Sequence, residues 1–195
     1  MAVLAPFLVL CTCVLGFHQV EATADTLCPP ESSFCHGGLQ VIYPGLEIDQ
    51  CLVVQEGLRK KVTADWKAPK ILFPGAYKAE IYVLVMVTLM PRAEKKTTSA
   101  YWRHWLVVDI QGDALQSGQL TGTTLTDYQP PSPPSRTGFH RYQFLLYEQP
   151  PDTRLSLTEE ESSSRGKWDL LTFTARFNLG EPVATLVFFT KNYND

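Results

Sequence analysis

Residues 81–87 read Ile-Tyr-Val-Leu-Val-Met-Val, an apolar run dense in β-branched side chains. Side chains alternate between the two faces of a strand, so a run without a polar member buries both faces. Such a strand belongs in the interior of a sheet with packed material on each side. Around it, Leu39-Gln40-Val41-Ile42-Tyr43 alternates and then meets Pro44-Gly45, a strand followed by a turn. Cys51-Leu52-Val53-Val54 and Lys61-Val62 are short strand candidates, and Leu186 to Phe189 is a final apolar segment. Several short strands with turn signals and few helical periods predict a mainly β, sandwich-like fold. One helix is expected over Asp169 to Asn178, where Phe173 and Phe177 share a face and Leu179-Gly180 and Pro182 supply the stop. Arg92 to Lys96 and the acidic Glu159 to Ser164 read as solvated loops, and the polar, glycine-containing Gly112 to Gly122 reads as a connection between strands.

The first 24 residues have the pattern of a signal peptide. Val3 to Gly16 is an apolar stretch too short to span a bilayer, and Val20-Glu21-Ala22 and Ala22-Thr23-Ala24 both fit a small-residue cleavage site. The expected organisation is a signal peptide over residues 1–24, a cysteine-containing extension over 25–38 and one domain over 39–195. No transmembrane anchor is expected, and a soluble protein of the secretory pathway follows. Cys28, Cys35 and Cys51 remain after cleavage, and either Cys28–Cys51 or Cys35–Cys51 can form in an oxidising compartment. Cys35-His36 is half of a metal site, but no second pair follows at zinc-like spacing, so no metal or other cofactor is expected. A net charge of -3 with no long basic run argues against nucleic acid as a partner.

The chemistry concentrates between Tyr101 and Gln149. Trp102-Arg103-His104-Trp105 and His140-Arg141-Tyr142 both open strand-like stretches. Residues two apart share a strand face, so Trp102 pairs with His104 and His140 with Tyr142, while Arg141 points the other way toward a structural ion pair. Pro133 and Pro134 wall the space between, and Gly138 offers main-chain N–H groups. These seven residues, Trp102, His104, Pro133, Pro134, Gly138, His140 and Tyr142, are the candidate ligand contacts. A His or Tyr donates to a phosphate oxygen, and protonated His adds charge, so anion affinity is expected to rise as pH falls through the histidine range. An enzyme is not expected: there is no Gly-x-Ser-x-Gly elbow, and Ser132 sits among prolines without a placed base.

His104-Trp105-Leu106-Val107, Leu125-Thr126-Asp127-Tyr128, Pro131-Ser132-Pro133-Pro134 and Thr137-Gly138-Phe139-His140-Arg141-Tyr142-Gln143-Phe144 together resemble the phosphatidylethanolamine-binding protein family. Arg165-Gly166-Lys167-Trp168 and Leu179-Gly180-Glu181-Pro182-Val183-Ala184 resemble further segments of it. The resemblance implies a large antiparallel sheet packed on a smaller one, with peripheral helices and a pocket for a phosphate or phosphoethanolamine-type head group. It also implies a binding protein with a signalling-protein partner, since the family includes modulators of kinase signalling and inhibitors of serine proteases. The secretory start and early cysteines are most like a secreted branch of the family, which implies survival signalling and an extracellular, secreted or lysosomal location. A protein-interaction module with a vestigial pocket and a serine protease inhibitor are the alternatives. The sequence departs from the family at Thr88-Leu89-Met90-Pro91-Arg92, where the usual Asp-Pro-Asp-Ala-Pro-Ser-Arg is missing. Without those carboxylates an ammonium group loses its expected counter-ion, while a phosphate meets less repulsion. The chain also ends without the helical tail of the family's cytosolic members, which implies a more open pocket mouth.

Overall fold

The computed structural model describes residues 33–89 and 100–195. The expected signal peptide, Cys28 and the Met90–Arg92 and Arg92–Lys96 stretches therefore lie outside the described residues. Among the described residues, nine strands form two sheets: β1 (Gln40–Tyr43), β2 (Leu46–Ile48), β3 (Leu52–Val53), β4 (Lys70–Leu72), β5 (Ile81–Leu89), β6 (Tyr101–Gln111), β7 (Thr123–Thr126), β8 (His140–Glu148) and β9 (Ala184–Thr190). The large sheet has the order β3-β9-β8-β5-β6-β7, and the small one β2-β1-β4. The fold is mainly β, with the large sheet antiparallel except where the short β3 runs parallel to β9.

β5 has the two-faced burial its sequence demands. Tyr82, Leu84 and Met86 enter the core between the sheets, against Val41, Tyr43 and Ile71. Val83, Val85 and Val87 enter a second core on the outer face, which Leu155, Trp168, Leu170, Phe173 and Leu179 cover. Four short helices lie at the periphery: α1 (Glu56–Lys60), α2 (Gly112–Ser117), α3 (Glu159–Ser163) and α4 (Leu170–Arg176). α4 occupies the expected helical stretch. The Asp169 side chain caps it by accepting from the Thr172 N–H at 3.0 Å, and the Phe173 and Phe177 rings meet edge to face at 5.2 Å.

Two local expectations are overturned, and a third segment carries more structure than its sequence showed. Lys61-Val62 is not a strand but the start of a π-helical turn, Lys61–Asp65, that continues α1. Thr63 Oγ1 bonds back to the Arg59 carbonyl at 2.8 Å, and two residues are too short a window to separate strand from helix by period. Gly112–Gly122 connects β6 to β7 as expected and also contains α2, which buries Ala114 and Leu115. Gly112 is required there because a Cβ would come within 1.9 Å of the Tyr77 carbonyl oxygen. The acidic stretch is α3, closed by a reciprocal capping box between Thr158 and Glu161.

Glu161 does more than cap. Its carboxylate accepts from Arg176 at 2.6 Å and from the Trp168 indole N–H at 3.1 Å. Burial alone would raise its pKa, but these bonds and the Thr158 main-chain bond outweigh burial and hold it below the usual carboxylate range. Nearby, the buried Arg103 lies over the Trp168 ring at 5.0 Å and donates to the Glu161 carbonyl at 2.7 Å. The ion pair expected of Arg141 is not formed among the described residues; its guanidinium lies over the Phe34 ring at 4.5 Å instead.

Of the two disulfides left open, Cys35–Cys51 is formed, with Cα atoms 5.6 Å apart. It fastens the segment that bridges Thr185 through His36 to the start of β3. The closed loop spans 16 residues and contains the β1–β2 hairpin.

Replacing both Cys35 and Cys51 with Ala should lower stability by about 2–4 kcal/mol in non-reducing chemical denaturation. An equal loss on adding reductant to the native protein should accompany it. Glu161→Ala should cost about 1–2 kcal/mol, a figure reduced for solvent screening because the Arg176 side chain is 30% exposed. An unchanged denaturation midpoint would mean that α3 and α4 hold without this carboxylate.

Candidate functional site

The end of β5 decides where the site lies. Thr88 stands opposite Trp102 on β6 and opposite Tyr142 on β8. Both neighbours run antiparallel to β5, so their first residues meet where β5 finishes. There a cavity of about 200 Å³ is lined by Thr88, Leu89, Trp102, His104, Ser132, Pro134, His140 and Tyr142. Trp102, His104, Pro134, His140 and Tyr142 are thus brought together. Pro133 and Gly138 are not: Pro133 is buried with its carbonyl accepting from Asn192 at 3.0 Å, and Gly138 is exposed in a turn with φ 75°. Thr88, Leu89 and Ser132 line the cavity without having been singled out as contacts. Strand register is the signal that would have found Thr88 and Leu89.

His104 reaches its place through a β-bulge. Val87 is opposite Arg103 and Met86 is opposite Trp105, so His104 is the extra residue between them. The bulge turns two consecutive side chains toward the inter-sheet side, His104 against Tyr142 at 5.3 Å and Trp105 against Tyr128 at 5.3 Å. Gln129 clamps the bulge. Its N–H donates to the His104 carbonyl at 2.9 Å, and its carbonyl lies 2.9 Å from His104 Nδ1. A carbonyl only accepts, so Nδ1 carries the proton, and Nε2 of the neutral ring is a bare acceptor.

The ring is 1% exposed, and burial moves its pKa down to about 4, with the Gln129 bond opposing and the Arg165 charge adding to the fall. The gain in anion affinity expected across the ordinary histidine range therefore does not originate at His104. Burial likewise raises the Tyr142 phenol, against a hydrogen bond from the Ser132 main chain. Tyr128, hydrogen-bonded to Tyr43 at 3.0 Å, is pushed up by burial to about 12. Both phenols stay neutral donors or acceptors.

On the other wall, Thr137 donates to the Pro134 carbonyl at 2.8 Å, and its oxygen accepts from His140 Nε2. The Thr88 hydroxyl donates to the Arg141 carbonyl at 2.7 Å, which leaves its oxygen as an acceptor at the cavity. Two buried polar atoms of the lining residues have no partner, the Trp102 indole N–H and His104 Nε2. Each such atom costs about 1–3 kcal/mol when left unmatched, which is the mark of a place where a polar ligand or water completes the bonding. No hydrogen bond joins the Ser132 hydroxyl to either imidazole among the described residues. A second, larger hollow of about 500 Å³ lies beside α3 and α4, but its Glu161 and Arg176 are already bonded to each other.

The depressed His104 has a consequence for pH. The unfolded chain takes up this proton near the ordinary value of 6.5, and the folded one only near 4. Stability from this group is complete above 6.5 and is lost progressively as pH falls toward about 4. Nitrogen-detected NMR should find His104 as the neutral Nδ1–H tautomer throughout the neutral range. A ring that titrates at 6.5 in the folded protein would overturn the assignment.

Comparison with known proteins places this architecture. The model of the phosphatidylethanolamine-binding protein family matches residues 54–189, more than half of the chain. The solution structure of CG7054 is 28% identical, with a TM-score of 0.55 over 80% of this chain and 85% of that one. A carboxypeptidase Y inhibitor, solved in complex with its cognate proteinase, is 21% identical, with a TM-score of 0.57 over 79% of this chain and 82% of its own. The phosphatidylethanolamine-binding protein from Plasmodium vivax is 18% identical, with a TM-score of 0.55 over 79% and 84% of the two chains. The last two likenesses concern the fold alone. Through the matched sequence and the paired sheets, this chain belongs to the phosphatidylethanolamine-binding protein family.

Proposed function

We propose that this protein binds, rather than transforms, a small phosphate-bearing molecule in the cavity at the end of β5, and that this binding serves signalling outside the cytosol. The observation that carries the reading is the pair of buried, unmatched polar atoms, Trp102 Nε1–H and His104 Nε2, on residues that line the cavity with Pro134, His140 and Tyr142. Concave sites with a few fixed polar groups on apolar walls suit small ligands. Phosphate or a phosphoethanolamine-type head group is the ligand class. The finer likeness to the family's secreted type 4 branch, with its survival-kinase association and an extracellular or lysosomal location, is part of the proposal. The Cys35–Cys51 disulfide supports an oxidising compartment, and no helix of the described residues is long and apolar enough to cross a membrane.

A second reading, contact with a protein partner around a vestigial pocket, is favoured by Leu89, which lines the cavity yet is 47% exposed. The protease-inhibitor alternative draws only on the relative described as a carboxypeptidase Y inhibitor.

Calorimetry of the mature protein with phosphorylethanolamine and with inorganic phosphate tests the reading. Saturable binding is expected, weakened about 10–100-fold by His104→Ala, the range for a lost hydrogen bond to a charged group, and less by His140→Ala, whose Nε2–H is held by Thr137. Circular dichroism should confirm that both variants remain folded. Folded protein that binds neither ligand would overturn the pocket reading. In that event a cavity variant that keeps its effect on a signalling partner would support the second one.

A further inference from the structure

We propose that the cavity takes an oxyanion that still carries a proton, a phosphomonoester or hydrogen phosphate, and rejects sulfate and phosphodiesters. The inference rests on the phosphate reading above and narrows it to one chemical class.

It follows from which atoms are left unmatched. Trp102 contributes a donor and His104 Nε2 an acceptor, both from residues lining the same cavity. A ligand that satisfies both must accept at one oxygen and donate from another. Monoprotonated phosphate has both kinds of oxygen. Sulfate and a phosphodiester have none that donates near neutral pH, so either would set an oxygen lone pair against the Nε2 lone pair.

His104 escapes this only by taking a proton itself, and its surroundings oppose that. The Gln129 carbonyl already takes the Nδ1 proton, so a second proton would give a full cation in a ring that is 1% exposed. Arg165 faces it from the segment beside β6, donating to the His104 carbonyl at 3.2 Å. Tyr142 faces it from β8 and His140 closes the same cavity, while Tyr128 lies on the segment that leads to Gln129. The nearby carboxylate on that segment, Asp127, is exposed, and no carboxylate is among the described lining residues. Thr88 stands where a strand-end carboxylate would have stabilised an imidazolium, and its hydroxyl oxygen offers a second acceptor for the ligand proton.

Affinity should then fall as pH rises through the ligand's own second ionisation, about 6 for a phosphomonoester. The test is calorimetry of the full mature protein with inorganic phosphate, methyl phosphate, dimethyl phosphate, sulfate and glycerophosphoethanolamine, from acidic to mildly alkaline pH. Phosphate and methyl phosphate should bind at least about tenfold more tightly than the other three. Trp102→Phe, which removes only the donor, should weaken phosphate by about tenfold. Sulfate binding as tightly as phosphate at neutral pH would overturn the inference and leave the anion reading standing. Glycerophosphoethanolamine matching phosphate would also overturn it, with an ammonium as the donor and a lipid head group as the source. If none of the five binds, the phosphate reading itself falls.

Discussion

The structure depends on one strand being dry on both faces. β5 sends Tyr82, Leu84 and Met86 into one core and Val83, Val85 and Val87 into the other, so each sheet face must be covered. Each fully buried aliphatic or aromatic side chain contributes roughly 1.5–3 kcal/mol, which makes the pairing of β5 with β6 and β8 the least negotiable contact in the molecule. The apolar run stops at Thr88, where a hydroxyl must find an acceptor and takes the Arg141 carbonyl. A cavity at that end is a consequence of topology. Both neighbours begin where β5 finishes, and their first side chains are the ones that carry chemistry.

β6 carries the site because its outer edge is held along its length by three separate segments. β7 pairs with Leu106 to Val108. Gln129 takes over at the His104 bulge, and residues 165–168 take the start, with Arg103 N–H donating to the Arg165 carbonyl at 2.8 Å and Tyr101 exchanging bonds with Trp168. Consecutive side chains are fixed from opposite sides: Arg103 against Trp168 and α3 on the outer face, His104 against Tyr142 on the inner one. Arg165 ties the two, reaching the carbonyls of both His104 and Asp127. The imidazole is therefore positioned before any ligand arrives, which lowers the ordering cost of binding.

Elements whose burial period is long were legible in the sequence: the central strand, the alternating β1, the helix capped by Asp169. Those set by one contact were not. Lys61-Val62 is too short to show a period, and the need for glycine at 112 comes from the Tyr77 carbonyl, which leaves no room for a Cβ. Glu161 looks like one acid in an acidic run until Arg176 and Trp168 are folded against it. At the site, the period of two paired His140 with Tyr142 and Trp102 with His104. It could not announce the bulge that turns Trp105 to the same side as His104, nor separate Pro134 at the cavity from Pro133 beside it.

Charge was the least legible property, and it matters most for function. A histidine in a sequence suggests a cation for an anion. Here burial and the Gln129 carbonyl make His104 a neutral acceptor, so the proton that joins it to a ligand has to arrive with the ligand. Thr88 fits the same arrangement. A carboxylate at that strand end would favour imidazolium and compete with phosphate for it, whereas a hydroxyl does neither. On the proposed reading, the missing acid and the neutral imidazole are parts of one electrostatic arrangement: a cavity whose buried histidine adds no fixed charge, in which recognition depends on matching donors to acceptors.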